Sequence, residues 1–168
     1  MTRSMTVPGA AVLLAFATVS LAQAAPPDAI AAPGETLVVT VHAQGAQIYE
    51  CKADATGALA WQFREPVATL LLDGKSIGRH YAGPTWELVD GGAVVGRVAA
   101  RAPGATESDI PVLKLAVTTN RGTGQLAAVT TILRLDTRGG VADGPCSTAG
   151  RFLSVPYAAD YAFLRTPH

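Results

Sequence analysis

Apolar and polar residues alternate in short runs along most of this chain. Across residues 59–64, Leu59, Trp61 and Phe63 fall on one face and Ala60, Gln62 and Arg64 on the other. That is the period-two pattern of a half-buried strand. Runs at 36–41, 46–51, 67–72, 77–81, 85–89, 94–99, 112–118, 129–135 and 155–163 are rich in β-branched, aliphatic and aromatic residues and also read as strands. Between them stand Ala55-Thr56-Gly57, Asp73-Gly74-Lys75, Gly83-Pro84, Asp90-Gly91-Gly92, Gly122-Thr123-Gly124 and Arg138-Gly139-Gly140. Asp73-Gly74 and Asp90-Gly91 are hairpin signals, because a type I′ turn needs the positive φ that Gly and Asp tolerate. Turns recurring every 8–12 or so residues predict an all-β fold, an antiparallel sandwich or a barrel-like sheet with little helix. The one helical candidate is a short turn near 105–109, before Pro111. No repeat, low-complexity tract or second domain interrupts residues 36–168, which read as a single β domain.

The first segment breaks this pattern. Arg3 supplies a positive start, residues 7–21 are apolar and uncharged, and Ala22-Gln23-Ala24 offers small residues for cleavage. This is the layout of a secretory signal peptide over residues 1–24. The apolar run is about 15 residues, short of the roughly 20 that a spanning helix needs. Residues 25–35 hold three prolines, at 26, 27 and 33, and are expected to form an extended, flexible leader. The mature protein is then secreted or periplasmic, about 144 residues long, with no stable membrane insertion after signal cleavage.

Composition narrows the class. The chain is 49% hydrophobic, which excludes a disordered protein. Its 13 basic residues balance its 13 acidic ones, leaving no electrostatic footprint for nucleic acid. Only two cysteines are present, Cys51 and Cys146. In an oxidising compartment they are expected to form one disulfide, closing a loop for which chain entropy allows about 4.7 kcal/mol. Two buried thiols or one reactive cysteine are the alternatives, and the lack of a Cys-x-x-Cys pair argues against redox catalysis.

Recognisable catalytic motifs are sparse. The chain has no Gly-x-Ser-x-Gly elbow, no His-Glu-x-x-His and no P-loop. Gly122-Thr123-Gly124-Gln125-Leu126-Ala127 matches a dinucleotide fingerprint, but a strand-like run follows it where a helix is required, so a hairpin is the preferred reading and no cofactor is expected. The three histidines, His42, His80 and His168, have no local ligand spacing, so no metal site is expected. The richest stretch starts at His80-Tyr81-Ala82-Gly83-Pro84-Thr85-Trp86-Glu87 and continues to Asp90. Across the Gly-Pro bend His80 can meet Glu87, either as a general base or as a buried polar pair that fixes the bend. His80, Glu87 and Asp90 are the catalytic candidates, and Tyr81 and Trp86 the ligand-binding ones. The structural reading is preferred for His80 and for Trp86. Near the end, Tyr157, Ala159, Tyr161 and Phe163 share a face at period two, as a core stripe does.

These residues also carry a resemblance. Gly45-x-Gln47-x-Tyr49-x-Cys51, the block from His80 to Glu87 with Asp90-Gly91, Ile110-Pro111-x-Leu113, Gly122-x-Gly124, Thr137-x-Gly139-Gly140, Cys146 and Val155-Pro156-Tyr157-x-Ala159-Asp160-Tyr161-x-Phe163 resemble a family of secreted bacterial and fungal proteins, the domain of unknown function 3455. The likeness covers residues 45–163. Gly92 stands where that pattern has Ser, and Leu164 where it has an aromatic. The resemblance implies export and a single domain, and it brings no catalytic residue with it.

Two classes of function follow. The first is an exported β domain with a non-catalytic role, either binding a small molecule or glycan or serving as an envelope or extracellular structural protein. The second is a hydrolase or isomerase using His80 with Glu87 or Asp90. The compartment has its own test. Intact mass spectrometry of exported protein, without reductant, should show a chain that starts at Ala25 and is about 2 Da lighter than the dithiol. Two thiols open to alkylation in the native protein would refute the bridge.

Overall fold

A computed structural model describes residues 26–167. The expected signal peptide lies outside the described residues. Eight strands follow in order: β1 (Thr36–Ala53), β2 (Leu59–Leu72), β3 (Lys75–Tyr81), β4 (Thr85–Leu88), β5 (Ala93–Ala102), β6 (Val112–Arg121), β7 (Thr131–Gly139) and β8 (Phe152–Arg165). Each pairs antiparallel with the next, and β8 pairs back onto β1. The sheet is a closed up-and-down barrel. Of the two architectures that the turn spacing allowed, this is the one that leaves no sheet edge unpaired.

Ten strand-like runs became eight strands because two apparent breaks are ladder positions. Gly45 lies inside β1 opposite Ala68, and Pro66 lies inside β2 opposite Gln47. Gly45 is demanded by close approach: a Cβ there would sit 2.5 Å from the Cα of Ala68 and closer still to the Val67 carbonyl. The wall therefore coils tightly at a point where a side chain has no room. Bulges at Ile48/Tyr49, Val95/Gly96, Val98/Ala100 and Leu135/Arg138 add the bending that closure needs. Asp73 and Gly74 both have positive φ, as a type I′ hairpin requires. The second hairpin differs from expectation. Gly91 alone turns positive, and residues 89–92 form a longer loop in which the Gly91 amide donates to the Leu88 carbonyl. Asp90 instead fixes the loop with its side chain.

Side-chain alternation then sorts the wall. Val41, Leu70, Trp86, Leu115, Ile132 and Phe163 point inward and form the core. Polar pairs sit outside, among them the hydrogen-bonded His42 and Asp160 and the ion pair of Arg79 with Glu87. A bilayer-spanning barrel has the reverse arrangement, an apolar band outside and a polar interior. No helix among the described residues is long and apolar enough to cross a membrane. A second, smaller cluster of Leu133, Ala162 and Leu164 lies on the outer wall, where Ala32 packs over it. The segment expected as a free leader is seated there. It makes a short 3-10 turn at Asp28–Ile30, Ile30 is fully buried, and Lys114 donates to the Ala31 carbonyl at 3.1 Å.

The two ends of the barrel differ. At one end the 122–130 connection folds inward, placing Leu126 and Val129 in the core, and the Asn120 side-chain amide donates to both their carbonyls at 3.2 and 3.0 Å. Asp90 adds bonds to the backbone amides of Gly92 and Gln125. At the other end the disulfide Cys51–Cys146 ties the 140–151 connection to β1, with Cα atoms 5.8 Å apart. The glycine in β1 gives a direct test. Gly45→Ala should cost about 1–3 kcal/mol, the usual range for overpacking. Thermal melts measure it, and an unchanged midpoint would mean that the wall has slack at that point.

Candidate functional site

The barrel is plugged at one end and hollow at the other. The hollow has a volume of about 410 Å³ and opens past the 82–84 turn. Strand length explains the opening. β1 and β2 have 18 and 14 residues, β4 only 4, so the wall is low where Gly83 and Pro84 form its rim. Inward alternation brings Gln47 and Tyr49 from β1, His80 from β3, Trp86 from β4, Arg134 from β7 and Tyr161 from β8 to the cavity wall. No Asp or Glu side chain lines it among the described residues.

His80 forms the floor with Trp86. The two face each other across the β3–β4 ladder, and their rings stack at 4.2 Å and 11°. Tyr161 meets both edge-on, at 5.1 and 5.2 Å. The His80 Nδ1–H donates to the Thr85 carbonyl at 2.8 Å, which leaves Nε2 as an acceptor. Burial then opposes a charged ring, and the His80 pKa falls from 6.5 to about 3. The imidazole is neutral in the folded protein.

Glu87 does not meet His80. In the β3–β4 register Arg79 is opposite Glu87 and His80 opposite Trp86, so the imidazole points inward and the carboxylate outward. Outside, Glu87 accepts from Tyr81 Oη at 2.7 Å and Arg79 Nη2 at 3.0 Å, and these bonds hold its pKa below the usual carboxylate range. Tyr81 therefore belongs to the outer wall and not to the cavity. Asp90 lies in the loop at the plugged end, engaged with backbone amides. The three catalytic candidates thus occupy three separate surroundings. Trp86 does reach the cavity wall, but one ring face is stacked on His80, and the whole side chain is almost fully buried.

Sequence reasoning missed the cation at the centre. Arg134 enters from β7 on the same face as Ile132, and its Nε and Nη2 donate to the Pro111 carbonyl at 3.0 and 2.8 Å. Its charge pulls the hydroxyls of Tyr49, Tyr157 and Tyr161 toward ionisation, but burial pushes all three up by more, so they remain protonated. The available signal was an arginine in phase with Ile132. It was obscured because Leu133 and Leu135, on the opposite phase, are equally apolar. They belong to the outer cluster that Ala32 covers, so alternation alone did not reveal which face was inward.

His80 produces a pH dependence with a definite sign. Below about pH 6.5 the unfolded chain takes up a proton on His80 that the barrel refuses. Stability therefore falls as pH drops from 6.5 toward 3, at no more than about 1.4 kcal/mol per pH unit. Urea melts between about pH 7 and pH 5 should show this decline, and His80→Gln should flatten it. The lowered carboxyls of Asp54, Glu87 and Asp109 contribute only at lower pH, because their ordinary values lie near 4. An equal slope in the variant would place the proton uptake elsewhere.

Comparison with known proteins gives one match. No curated protein and no solved structure matches the chain. The family model described as Protein of unknown function (DUF3455) covers residues 32–165, from the segment that packs on the outer wall to the last residue of β8, and the chain belongs to that family.

Proposed function

We propose that this protein is an exported binding protein that holds a small molecule in the open end of its barrel and does not catalyse a reaction on it. The observation that carries the reading is the cavity itself. Eight strands make a barrel just wide enough either to be filled by side chains or to hold one small ligand. Here one end is filled by Leu126 and Val129 and the other is left hollow. A volume of about 410 Å³ lies within the range of small-molecule sites.

The same wall speaks against acid–base chemistry. A general base needs a proton acceptor matched to working pH and a partner that orients it. His80 is oriented by a main-chain carbonyl and is held far below neutral, and the carboxylate of its own motif, Glu87, is on the other side of the sheet. A purely structural envelope role predicts no pocket. A glycan needs an open aromatic platform, and Trp86 has given one ring face to His80. Export is supported by the amino-terminal apolar run and by the disulfide, which persists in oxidising compartments.

The test uses an uncharged fluorescent probe, N-phenyl-1-naphthylamine, with the mature protein. Saturable micromolar binding is expected, with a blue-shifted emission. Val98 lines the mouth and is part-exposed, so Val98→Trp should fill the opening without disturbing the core, and it should weaken binding at least tenfold. No saturable binding to the wild type, or equal binding to the variant, would overturn the reading.

A further inference from the structure

Arg134 is a cation on the inner wall of a barrel, and the cavity beside it contains no carboxylate. Arg134 is partly buried, and charges drawn away from water are normally paired. None of the ion pairs among the described residues involves Arg134. Its Nε and Nη2 both donate to one main-chain acceptor, the Pro111 carbonyl. That bond uses the side edge of the guanidinium. The other edge, formed by Nη1 and the second hydrogen of Nη2, is the fork that receives a carboxylate with two parallel bonds. It remains unused.

Neighbouring groups complete the case for an anion. The Gln47 amide nitrogen, a donor, is buried without a hydrogen-bond partner, and Gln47 and Tyr161 both stand on the cavity wall. The Tyr161 hydroxyl lies beside both Tyr157 and Arg134, whose hydrogen bonding favours its ionised form, so an anion there would sit against the arginine and the hydroxyl together. At the mouth, Arg101 makes no ion pair or side-chain hydrogen bond among the described residues, and it adds a second positive charge on the path inward. Arg64 also lines the mouth, but it is paired with Glu50 and Glu65, at 3.7 and 3.2 Å, and the groups beside it, Phe63, Pro66, Pro84 and Val98, are apolar. Tyr49 and Phe63 pack edge to face at 5.8 Å, and Phe63 is more than half exposed.

We infer that the ligand of this cavity is a small organic anion, a carboxylate on a flat apolar body, with the carboxylate on the free fork of Arg134 and the body against Tyr49 and Phe63. This rests on the binding function proposed above and names its ligand class. The charge of the ligand supplies what the wall lacks, and the apolar body covers the exposed aromatic pair. A neutral molecule of the same shape would fill the hollow and leave the arginine unpaired.

Isothermal titration calorimetry with 2-naphthoate and its neutral isostere 2-naphthamide tests the inference, and it needs no variant for its first arm. The wild type should bind the carboxylate at least tenfold more tightly than the amide. Arg134→Met should abolish the carboxylate preference, bringing the two compounds to within about twofold of each other, and Arg134→Lys should recover part of it. Circular dichroism melts show whether each variant is folded, and the wild-type ratio decides the matter if Arg134→Met is not. Equal affinity for both compounds, or a carboxylate preference that survives Arg134→Met, would overturn the anion assignment. If the uncharged naphthylamine probe still binds in that case, the cavity function stands and only its ligand class fails. If neither naphthalene compound binds, the anion assignment fails, and the naphthylamine result alone decides the broader reading.

Discussion

The pairing of β1 with β8 is the contact on which the remaining geometry depends. Residues Thr36 to Glu50 run antiparallel to Arg165 back to Phe152, and this seam closes the sheet. Closure gives every strand an inside and an outside, so one register decides the surroundings of all its residues. Tyr157, Ala159, Tyr161 and Phe163 face the interior because β8 is held in this phase. A slip of one residue would exchange Tyr161 for Asp160 and place a carboxylate beside Arg134. The same logic acts between β3 and β4, where the register separates His80 from Glu87 although only six residues divide them in sequence.

Strand length then makes the barrel asymmetric. The long β1 and β2 rise past the short β3–β4 hairpin, so the wall is high on one side and low on the other. At the opposite end a nine-residue connection, 122–130, is long enough to fold inward and bury Leu126 and Val129. A closed end and an open end follow from these differences without a separate lid. The disulfide holds the open end. It pins the 140–151 connection to β1 and cross-links a long stretch of the unfolded chain, which disfavours the unfolded state.

Several elements were legible in the residues themselves. Period-two alternation located the strand runs, Asp73-Gly74 marked a hairpin whose backbone has the required positive φ values, and two cysteines in an otherwise cysteine-free chain identified their bridge. Other signals misled for physical reasons. Gly45 and Pro66 looked like breaks, yet each sits within a paired strand, Gly45 because backbones approach too closely there for a side chain. The 26–35 segment looked like a free tail because its prolines suggest extended chain, yet Ile30 is fully buried and Ala32 packs on an apolar patch of the outer wall. That patch also concealed Arg134, since it makes both faces of β7 apolar.

The sequence by itself determined the class: an all-β domain, its turns, its disulfide and an inward stripe of aromatics. These are local properties, written in alternation, turn chemistry and residue type, and they do not depend on which strand lies beside which. The tertiary structure alone decided the site. A cavity is the space left between non-neighbouring strands, and its charge depends on which phase of each strand faces inward. Only closure of the sheet brings Gln47, His80, Arg134 and Tyr161, drawn from four strands and more than 100 residues of chain, onto one wall. It also sends Tyr81 and Glu87, which share a motif with His80, to the other side.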